Sequence, residues 1–350
     1  MTVEQSSNGP IRTALVGCGA VAIRGLIPAW LSPANPKRPD PVPFLNFGYA
    51  PGLVFNAICD DDTGSLARAK DILPDATAFG SWDELLRKLN DVQAVVISTP
   101  AFLHEEMVLG ALDLGCDVFV EKPIALTRQG LERVAASASS CGRIVMVDLP
   151  WRFSLAASEI LEVVRDGGLG EIRSFEAEFR HSGPKAWSPS AAWYYDGRNP
   201  GGAWTDLGSH LLDLLFEVIP SSDLRSFHCR GKIAKTYVER AECQIGFEND
   251  RNATLVVGWD SDFPLFRLRL IGTQDELNAD LISPYRVGCV SKGRTSSLTD
   301  CPKPIEALGP FAHFISCVRT RAIPVTGLPR VLSSERLVVE GLEQLVSETI

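Results

Sequence analysis

Asp206 and His210 are a carboxylate and an imidazole four residues apart, the separation that puts two side chains on one face of a helix. They lie in GGAWTDLGSHLLD, residues 201–213, where Leu207, Leu211, Leu214, Leu215 and Val218 recur at helical spacing. By the same count Asp206, His210, Asp213 and Glu217 fall on a different face. Thr205 or Asp206 can cap the start, and Pro220 ends the helix. An imidazole beside a carboxylate can pass a proton at working pH, because imidazole changes charge in that range. The same pair also suits a solvated helix face held by an Asp–His contact. The preceding Gly201-Gly202 tilts the reading towards a ligand, since adjacent glycines let the backbone approach one closely.

A second candidate site lies far upstream. Gly17-Cys18-Gly19-Ala20-Val21-Ala22 follows the apolar run Arg12–Val16 and opens a helical pattern that continues through Leu31. This is G-x-G-x-x-A between a strand and a helix, the context in which the motif holds a dinucleotide pyrophosphate. Gly17 would make the tight turn, and Gly19, Ala20 and Val21 would meet the phosphates at the helix start. Ala22 would be the small residue where helix meets strand. The next strand, Leu53–Cys59, ends in Asp60-Asp61-Asp62, and Asp60 is the candidate acceptor for the adenosine ribose hydroxyls. Three carboxylates would repel a 2′-phosphate, and no Arg or Lys follows until Arg68, which favours NAD while leaving NADP possible. The usual distance from glycine loop to acidic residue is about 20 residues; here it is roughly doubled. The excess is residues 32–52, where Pro33, Pro36, Pro39, Pro41 and Pro43 exclude a helix or inner strand and imply an inserted surface loop. A lid, an oligomer contact and mere decoration all remain open for it.

The elements that must position these residues alternate. Ser81-Trp82-Asp83-Glu84 is a capping box for a helix to Leu89, and Val92–Ile97 is a buried strand followed by Ser98-Thr99-Pro100. Leu103–Leu114 predicts a helix ended by Gly115, Val118–Val120 a strand, Thr127–Ser140 a helix and Ile144–Leu149 a strand. Such alternation means a parallel sheet covered on both faces, with ligands beyond the strand C-terminal ends. Ser98, Thr99, Pro100, His104, Glu121, Lys122 and Pro123 all sit at such ends. His104 is either a cofactor contact or a capped structural histidine. After a helix over Leu155–Arg165, closed by Gly167-Gly168, the period turns alternating. Ile172–Arg180, Ala241–Phe247, Thr254–Trp259 and Phe266–Ile271 read as strands, with a hairpin turn at Glu248–Arg251. Helices over Pro310–Arg321 and Leu332–Ser347, with Thr326-Gly327 in the loop between them, finish the chain. The domains expected are therefore 1–150, binding a dinucleotide, and 151–350, binding substrate.

Composition bounds the reading. A chain of 350 residues is long for one core, and 45% hydrophobic with 22% charged residues describes an ordinary globular protein. A net charge of −9 argues against a nucleic-acid or anionic-membrane partner. No apolar run reaches the ~18 residues of a membrane span, and MTVEQSSNGP shows no signal-peptide pattern. Nine cysteines without a CxxC pair fit a reducing cytoplasm better than a disulfide framework, with Cys18 and Cys59 in buried elements. The five dispersed histidines predict no metal.

Glu121-Lys122-Pro123 directly after Val118-Phe119-Val120, together with GGAWTDLGSH, resembles the glucose–fructose oxidoreductase/inositol dehydrogenase/MocA (Gfo/Idh/MocA) family. The resemblance runs over nearly the whole chain. It takes in the glycine loop, STP-x3-H at Ser98–His104, the EKP tripeptide, Trp151-Arg152-Phe153 and GG-x3-D-x3-H. Ala203 stands where the family has a third glycine, and the Pro-rich insertion is the larger departure. The resemblance implies an α/β architecture: an N-terminal Rossmann domain with a doubly wound parallel sheet, then a C-terminal α+β domain with a large open, mostly antiparallel sheet. The free face of that sheet would form a homodimer or homotetramer interface. The resemblance also implies a catalytic set of Lys122, Asp206 and His210. Lys would reach nicotinamide ribose and substrate hydroxyl, His would be the general acid/base, and Asp would orient it or the sugar. Which of Lys122 and His210 takes the proton first stays open. Trp151 and Arg152 would run beneath the nicotinamide, although packing where the domains join suits Trp151 equally.

Residues 180–198, RHSGPKAWSPSAAWYYDGR, are rich in Trp, Tyr, Gly and Pro and lack periodicity. Aromatic faces pack on the C–H patches of a polyhydroxylated ring while polar tips bond its hydroxyls, so His181, Lys185, Trp193 and Tyr194 are candidate substrate contacts. A loop merely pinned by buried aromatics is the alternative. The expected activity is NAD(P)-dependent hydride transfer at a secondary alcohol or ketone of a sugar, cyclitol or sugar derivative. An NAD-dependent glycosidase and a non-enzymatic dinucleotide-binding regulator are the competing readings.

Overall fold

The first apolar run forms β1 (Ile11–Val16), which is buried along nearly its whole length. A helical stretch opens as a π-helical turn at Ala22–Leu26 and continues as α1 (Ile27–Trp30). There follow β2 (Leu53–Cys59), α2 (Thr63–Ile72), β3 (Thr77–Phe79), α3 (Trp82–Lys88), β4 (Ala94–Ile97), α4 (His104–Asp113), β5 (Asp117–Glu121), α5 (Arg128–Cys141) and β6 (Val145–Asp148). In this computed structural model the described residues are 9–39, 50–89, 91–186, 188, 192–195, 197–282, 286–290, 294–297 and 309–347. The strands make one parallel sheet in the order β3-β2-β1-β4-β5-β6. Strand order reverses between β1 and β4, the switch point outside which ligands bind in such sheets. β4 and β6 are buried at every residue, as strands covered on both faces must be. β3 carries no signal the sequence reading used: it is three residues long and its first two are exposed. Of the Pro-rich insertion, residues 40–49 lie outside the described residues.

The chain forms two compact units, the first made of Met1–Ile124, Gln129–Pro150 and Ile305–Arg330. The helix Pro310–Thr320 thus belongs with the parallel sheet and not, as chain order suggested, with the second half. Its Phe311 stacks on Phe55 and meets Phe119 edge-on, and Phe314 meets Phe119 edge-on as well. Just beyond it Arg321 reaches buried Asp117 at the start of β5, with N–O distances of 2.6 and 3.1 Å. Thr326 donates its hydroxyl to the Val147 carbonyl, which ties the outer edge of β6 to the same returning segment.

The second unit comprises Ala125–Arg128, Trp151–Pro304 and Val331–Ile350. It holds α6 (Leu155–Arg165), β7 (Ile172–Arg180), α7 (Ser209–Val218), β8 (Leu224–Ala234), β9 (Tyr237–Phe247), β10 (Asn252–Gly258), β11 (Leu265–Gly272), β12 (Glu276–Asp280), β13 (Arg286–Cys289) and β14 (Arg294–Ser297). Ser154 caps α6 by accepting from the Ala157 N–H. The eight strands run β14-β13-β12-β11-β7-β10-β9-β8, antiparallel except where β7 meets β10. Asn249 and Asp250 both have positive φ in the β9–β10 hairpin, a conformation in which Asn and Asp are enriched.

One expectation is corrected here. Cys229 and Cys243 are not free thiols but a disulfide, with an S–S distance of 2.04 Å. Register explains it: β8 pairs antiparallel with β9, and Cys229 stands directly opposite Cys243. β8 is a mostly exposed, polar edge strand whose alternation is weak, so the pairing was invisible in the sequence. Cys18 and Cys59 do behave as buried small hydrophobes, and burial pushes both thiols well above their ordinary pKa.

The core of this unit centres on Trp204, which is fully buried and donates its indole N–H to the Val338 carbonyl at 2.8 Å. Gly208 and Gly341 leave room for that ring: a Cβ on either would come within 2.7 and 2.6 Å of it. Trp204→Ala is expected to cost about 3–5 kcal/mol of stability, measured as a lower urea midpoint of the second unit's transition.

Candidate active site

The glycine loop follows β1 as the sequence predicts. Gly17 has φ +87°, and a Cβ there would sit 2.5 Å from the Ser98 carbonyl oxygen, so only glycine passes so close to the end of β4. Gly19 is the opposite case, since an added Cβ would meet nothing within 4 Å and the loop's outer surface is open. Asp60 at the end of β2 accepts from the Cys18 N–H at 2.6 Å and from the Asp62 N–H at 2.8 Å. Burial raises its pKa and these two hydrogen bonds lower it, with burial the larger effect. An open glycine turn with a carboxylate docked against it fits the phosphates and ribose of a dinucleotide.

The ends of β4 and β5 are tied together by His104. Its ring is fully buried, with Nδ1 2.8 Å from the Pro123 carbonyl oxygen and Nε2 2.8 Å from that of Thr99. A neutral imidazole can donate to only one of two carbonyls. Burial nevertheless depresses the pKa, opposed by both carbonyls and reinforced by Lys122. His104 is thus a clamp between Ser98-Thr99-Pro100 and Glu121-Lys122-Pro123, whose Lys122–Pro123 peptide is cis. Ser98 adds a hydroxyl bond to the Gly17 carbonyl at 3.3 Å.

In the second unit Asp206 lies in a π-helical turn, Trp204–Gly208, which runs directly into α7. Neither Thr205 nor Asp206 caps this helix, contrary to expectation: helical backbone already begins at Ala203, after Gly202 at φ +47°, and the Thr205 hydroxyl donates back to the Gly202 carbonyl. The Asp206 carboxylate accepts from the Trp259 indole N–H at 3.1 Å and lies 3.6 Å from His181 Nε2. The other His181 nitrogen, Nδ1, accepts from the Gly183 N–H, which leaves the ring proton on Nε2, towards Asp206. His210 is buried, its ring 6.0 Å from that of Phe179, which also neighbours His181 at 6.1 Å. Tyr194, Tyr195 and Tyr237 surround Trp259 at centroid distances of 6.1, 5.5 and 5.6 Å.

The comparisons with known proteins agree with this division. Residues 11–149 match the model described as "Oxidoreductase family, NAD-binding Rossmann fold", and residues 158–278 match the "GFO/IDH/MocA C-terminal domain". The chain belongs to the Gfo/Idh/MocA oxidoreductase family. One relative of this Gfo/Idh/MocA chain is D-glucoside 3-dehydrogenase of Escherichia coli (strain K12), 28% identical over 63% of the chain and only 59% of the relative. Two solved structures share the fold over most of both chains. One is a dehydrogenase from Chromobacterium violaceum in complex with NADH and UDP-GlcNAcA, with TM-score 0.78 at 18% identity over 99% and 97% of the two chains. The other is a 3-ketoreductase from Actinomadura kijaniata in complex with NADP, with TM-score 0.72 at 20% identity over 97% of each.

Several residues singled out in this Gfo/Idh/MocA sequence have other engagements. Arg152 binds Asp213 through two N–O contacts of 2.6 and 2.9 Å and Glu217 at 2.7 Å, so its guanidinium is committed within the second unit. Burial raises the Asp213 pKa to about 6, against the pull of Arg152. On the polar face of α7 His210 and Asp213 are therefore buried and Asp213 is ion-paired, while Glu217 stays exposed, where a solvated face was one expectation. Trp151 packs edge-on against Phe179 and Phe266. Trp193 and Tyr194 stack on one another at 3.7 Å, and Lys185 Nζ lies 4.9 Å over the Tyr195 ring. Trp259 and Tyr195 are site residues that sequence reasoning missed, because no spacing relates a strand end to a helix 53 positions away. Among the described residues no cluster of three His, Cys, Asp or Glu side chains could hold a metal, and no helix is long and apolar enough to cross a membrane.

Since the folded chain disfavours a charged His104, its contribution to stability is complete above the ordinary imidazole pKa near 6.5 and is lost as pH falls below it. His104→Ala should cost about 1–3 kcal/mol at neutral pH. It should also flatten the fall of the denaturation midpoint between pH 7 and pH 5, measured in urea.

Proposed function

We propose that this chain is an NAD(P)-dependent dehydrogenase acting on a secondary alcohol, or in reverse a ketone, of a sugar, cyclitol or sugar derivative. The observation that carries the reading is Asp206, a carboxylate held by an indole and an imidazole at the ends of two strands, with His210 a turn further on. Polyol chemistry needs that combination of an acceptor, a proton carrier and aromatic faces. A relative supports the substrate class, since it is named D-glucoside 3-dehydrogenase.

A bound nicotinamide supplies the hydride acceptor for carbinol oxidation, or the donor for the reverse. Everything else falls to the backbone and side chains of this chain. Gly17, Gly19, Ala20 and Val21 bind the pyrophosphate, Asp60 the adenosine ribose, and Ser98, Thr99 and Pro100 border the cofactor at the end of β4. His104 keeps that segment in register with Glu121 and Lys122. The Lys122 ammonium stabilises negative charge on the carbinol oxygen. The hydroxyl proton passes to His210, or to Lys122 if that side chain enters the step as a neutral amine and becomes the ammonium by taking it, while Asp206, oriented by Trp259 and His181, accepts from a neighbouring hydroxyl. Trp193, Tyr194 and Lys185 line the sugar's outer side. NAD is preferred over NADP because Asp60 meets the ribose, Asp61 and Asp62 add negative charge beside it, and Arg68 is turned to the Ser65 hydroxyl. Homodimers or homotetramers form through the open face of the eight-stranded sheet.

The test is reduced-nicotinamide absorbance with NAD or NADP and a panel of inositols, hexoses, aminosugars and uronates. Lys122→Ala and His210→Ala should each lower kcat/KM roughly 10²–10⁴-fold, with thermal-shift binding of NAD retained in His210→Ala. Unchanged turnover in Lys122→Ala, or no reduction of either cofactor with any member of the panel, would falsify the proposal.

A further inference from the structure

Two carboxyl groups meet at the base of Lys122, and one of them, Asp148, has no part in the cofactor or substrate contacts assigned above. Glu121 ends β5, Asp148 ends β6, and the two are direct partners in the parallel register, so their side chains leave the sheet on the same face. Asp148 is 1% exposed, and both of its carboxyl oxygens are shielded from water. Among the described residues neither oxygen receives an N–H or O–H from any donor. Along the outer edge of β6 runs Pro324–Gly327, which has no ionisable side chain. The charged groups that act on Asp148 are Glu121 and Lys122.

Two ionised carboxylates at paired positions of neighbouring strands, one of them without a donor and out of water, would repel in a medium that screens poorly. A carboxyl–carboxyl hydrogen bond removes the conflict, and it requires a proton. We propose that Asp148 is a neutral carboxylic acid whose O–H donates to the Glu121 carboxylate, so that the pair carries one negative charge, not two, beside Lys122. Burial, then the nearness of Glu121, raises the Asp148 pKa well above the usual carboxylate range, in the same sense. Asp148 is in this account a positioning residue. Its proton fixes the Glu121 carboxylate, and its neutrality matches a single carboxylate to a single ammonium. The bearing of this pair on turnover rests on the reading of Lys122 given above.

The test compares the wild-type chain with Asp148→Asn, which keeps a hydrogen-bond donor but cannot ionise, and with Asp148→Ala, which keeps neither. A folded chain that holds this proton binds more protons than the unfolded one above the ordinary Asp pKa. The wild-type denaturation midpoint should therefore fall, relative to that of Asp148→Asn, as pH rises from 5 to 9. Parallel curves would overturn the proposal. The labelling rate of the Lys122 amine, read by mass spectrometry across the same pH range, should be unchanged in Asp148→Asn. A rate increase there would mean that a negative charge had been removed, and Asp148 was ionised after all. Neither measurement depends on turnover, so both stand if the dehydrogenase reading fails. With an active substrate, Asp148→Asn should stay within about threefold of wild-type kcat and Asp148→Ala should fall about tenfold at unchanged KM for NAD; equal losses in both variants would count against the donated hydrogen bond.

Discussion

Removing a carboxylate from water is costly unless something replaces the lost hydrogen bonds, and this chain does so repeatedly. Each instance has a different solution. Asp117 is met by the fork of Arg321 and by the Ile144 N–H. Asp213 is met by Arg152, which takes Glu217 as well. Asp60 leans on the backbone N–H of the glycine loop, Asp206 on an indole and an imidazole, and Asp148 on another carboxyl group. The first two partners are cations and hold the fold together. The last three lie where ligand chemistry is expected, and none of them is matched by a buried arginine. A carboxylate fully neutralised by an arginine has little left to offer a ribose or a sugar hydroxyl. One left with weaker, neutral donors keeps lone pairs in reserve.

Local signals made much of this fold legible. The glycine loop, the apolar runs of β1, β2, β4 and β5, the Ser81 capping box and the helix Leu155–Arg165 all rest on interactions within a few residues, and the structure has each within a residue or two of the expected bounds. What was not legible depends on register or on distance along the chain. β3 is too short to show a period. β8 is an edge strand whose exposed side breaks the alternation, and with it went the Cys229–Cys243 pair. β12, β13 and β14 extend the second sheet in segments of five, four and four residues.

The site divides in the same manner. Lys122, Asp206 and His210 could be named because a tripeptide and a spaced motif carry them. Trp259 and Asp148 could not, since strand pairing sets their neighbours, nor could Tyr195, whose ring meets Trp259 from a short 3-10 turn at Ala192–Tyr195. The π-helical turn at Trp204–Gly208 is a further case: counting in steps of 3.6 puts Asp206 and His210 on one stripe, whereas a wider turn alters which neighbours a side chain meets. His181 emerges as the imidazole whose ring proton is directed to Asp206, on the strength of a single bond from the Gly183 N–H that fixes its tautomer.

The return of Pro310–Thr320 to the first sheet has a consequence for how this protein is made. A ribosome releases the chain from its beginning, yet Phe119 and Phe55 receive Phe311 and Phe314, and Asp117 receives Arg321, only after some three hundred residues have been polymerised. Until then the nucleotide-type half carries an uncovered aromatic surface and a strand-end acid without its cation. A fragment stopping at residue 150 would inherit that condition permanently. For this topology neither half closes early, since the first takes its last segment at Ile305–Arg330 and the second at Val331–Ile350, and nascent chains would need shelter through most of synthesis.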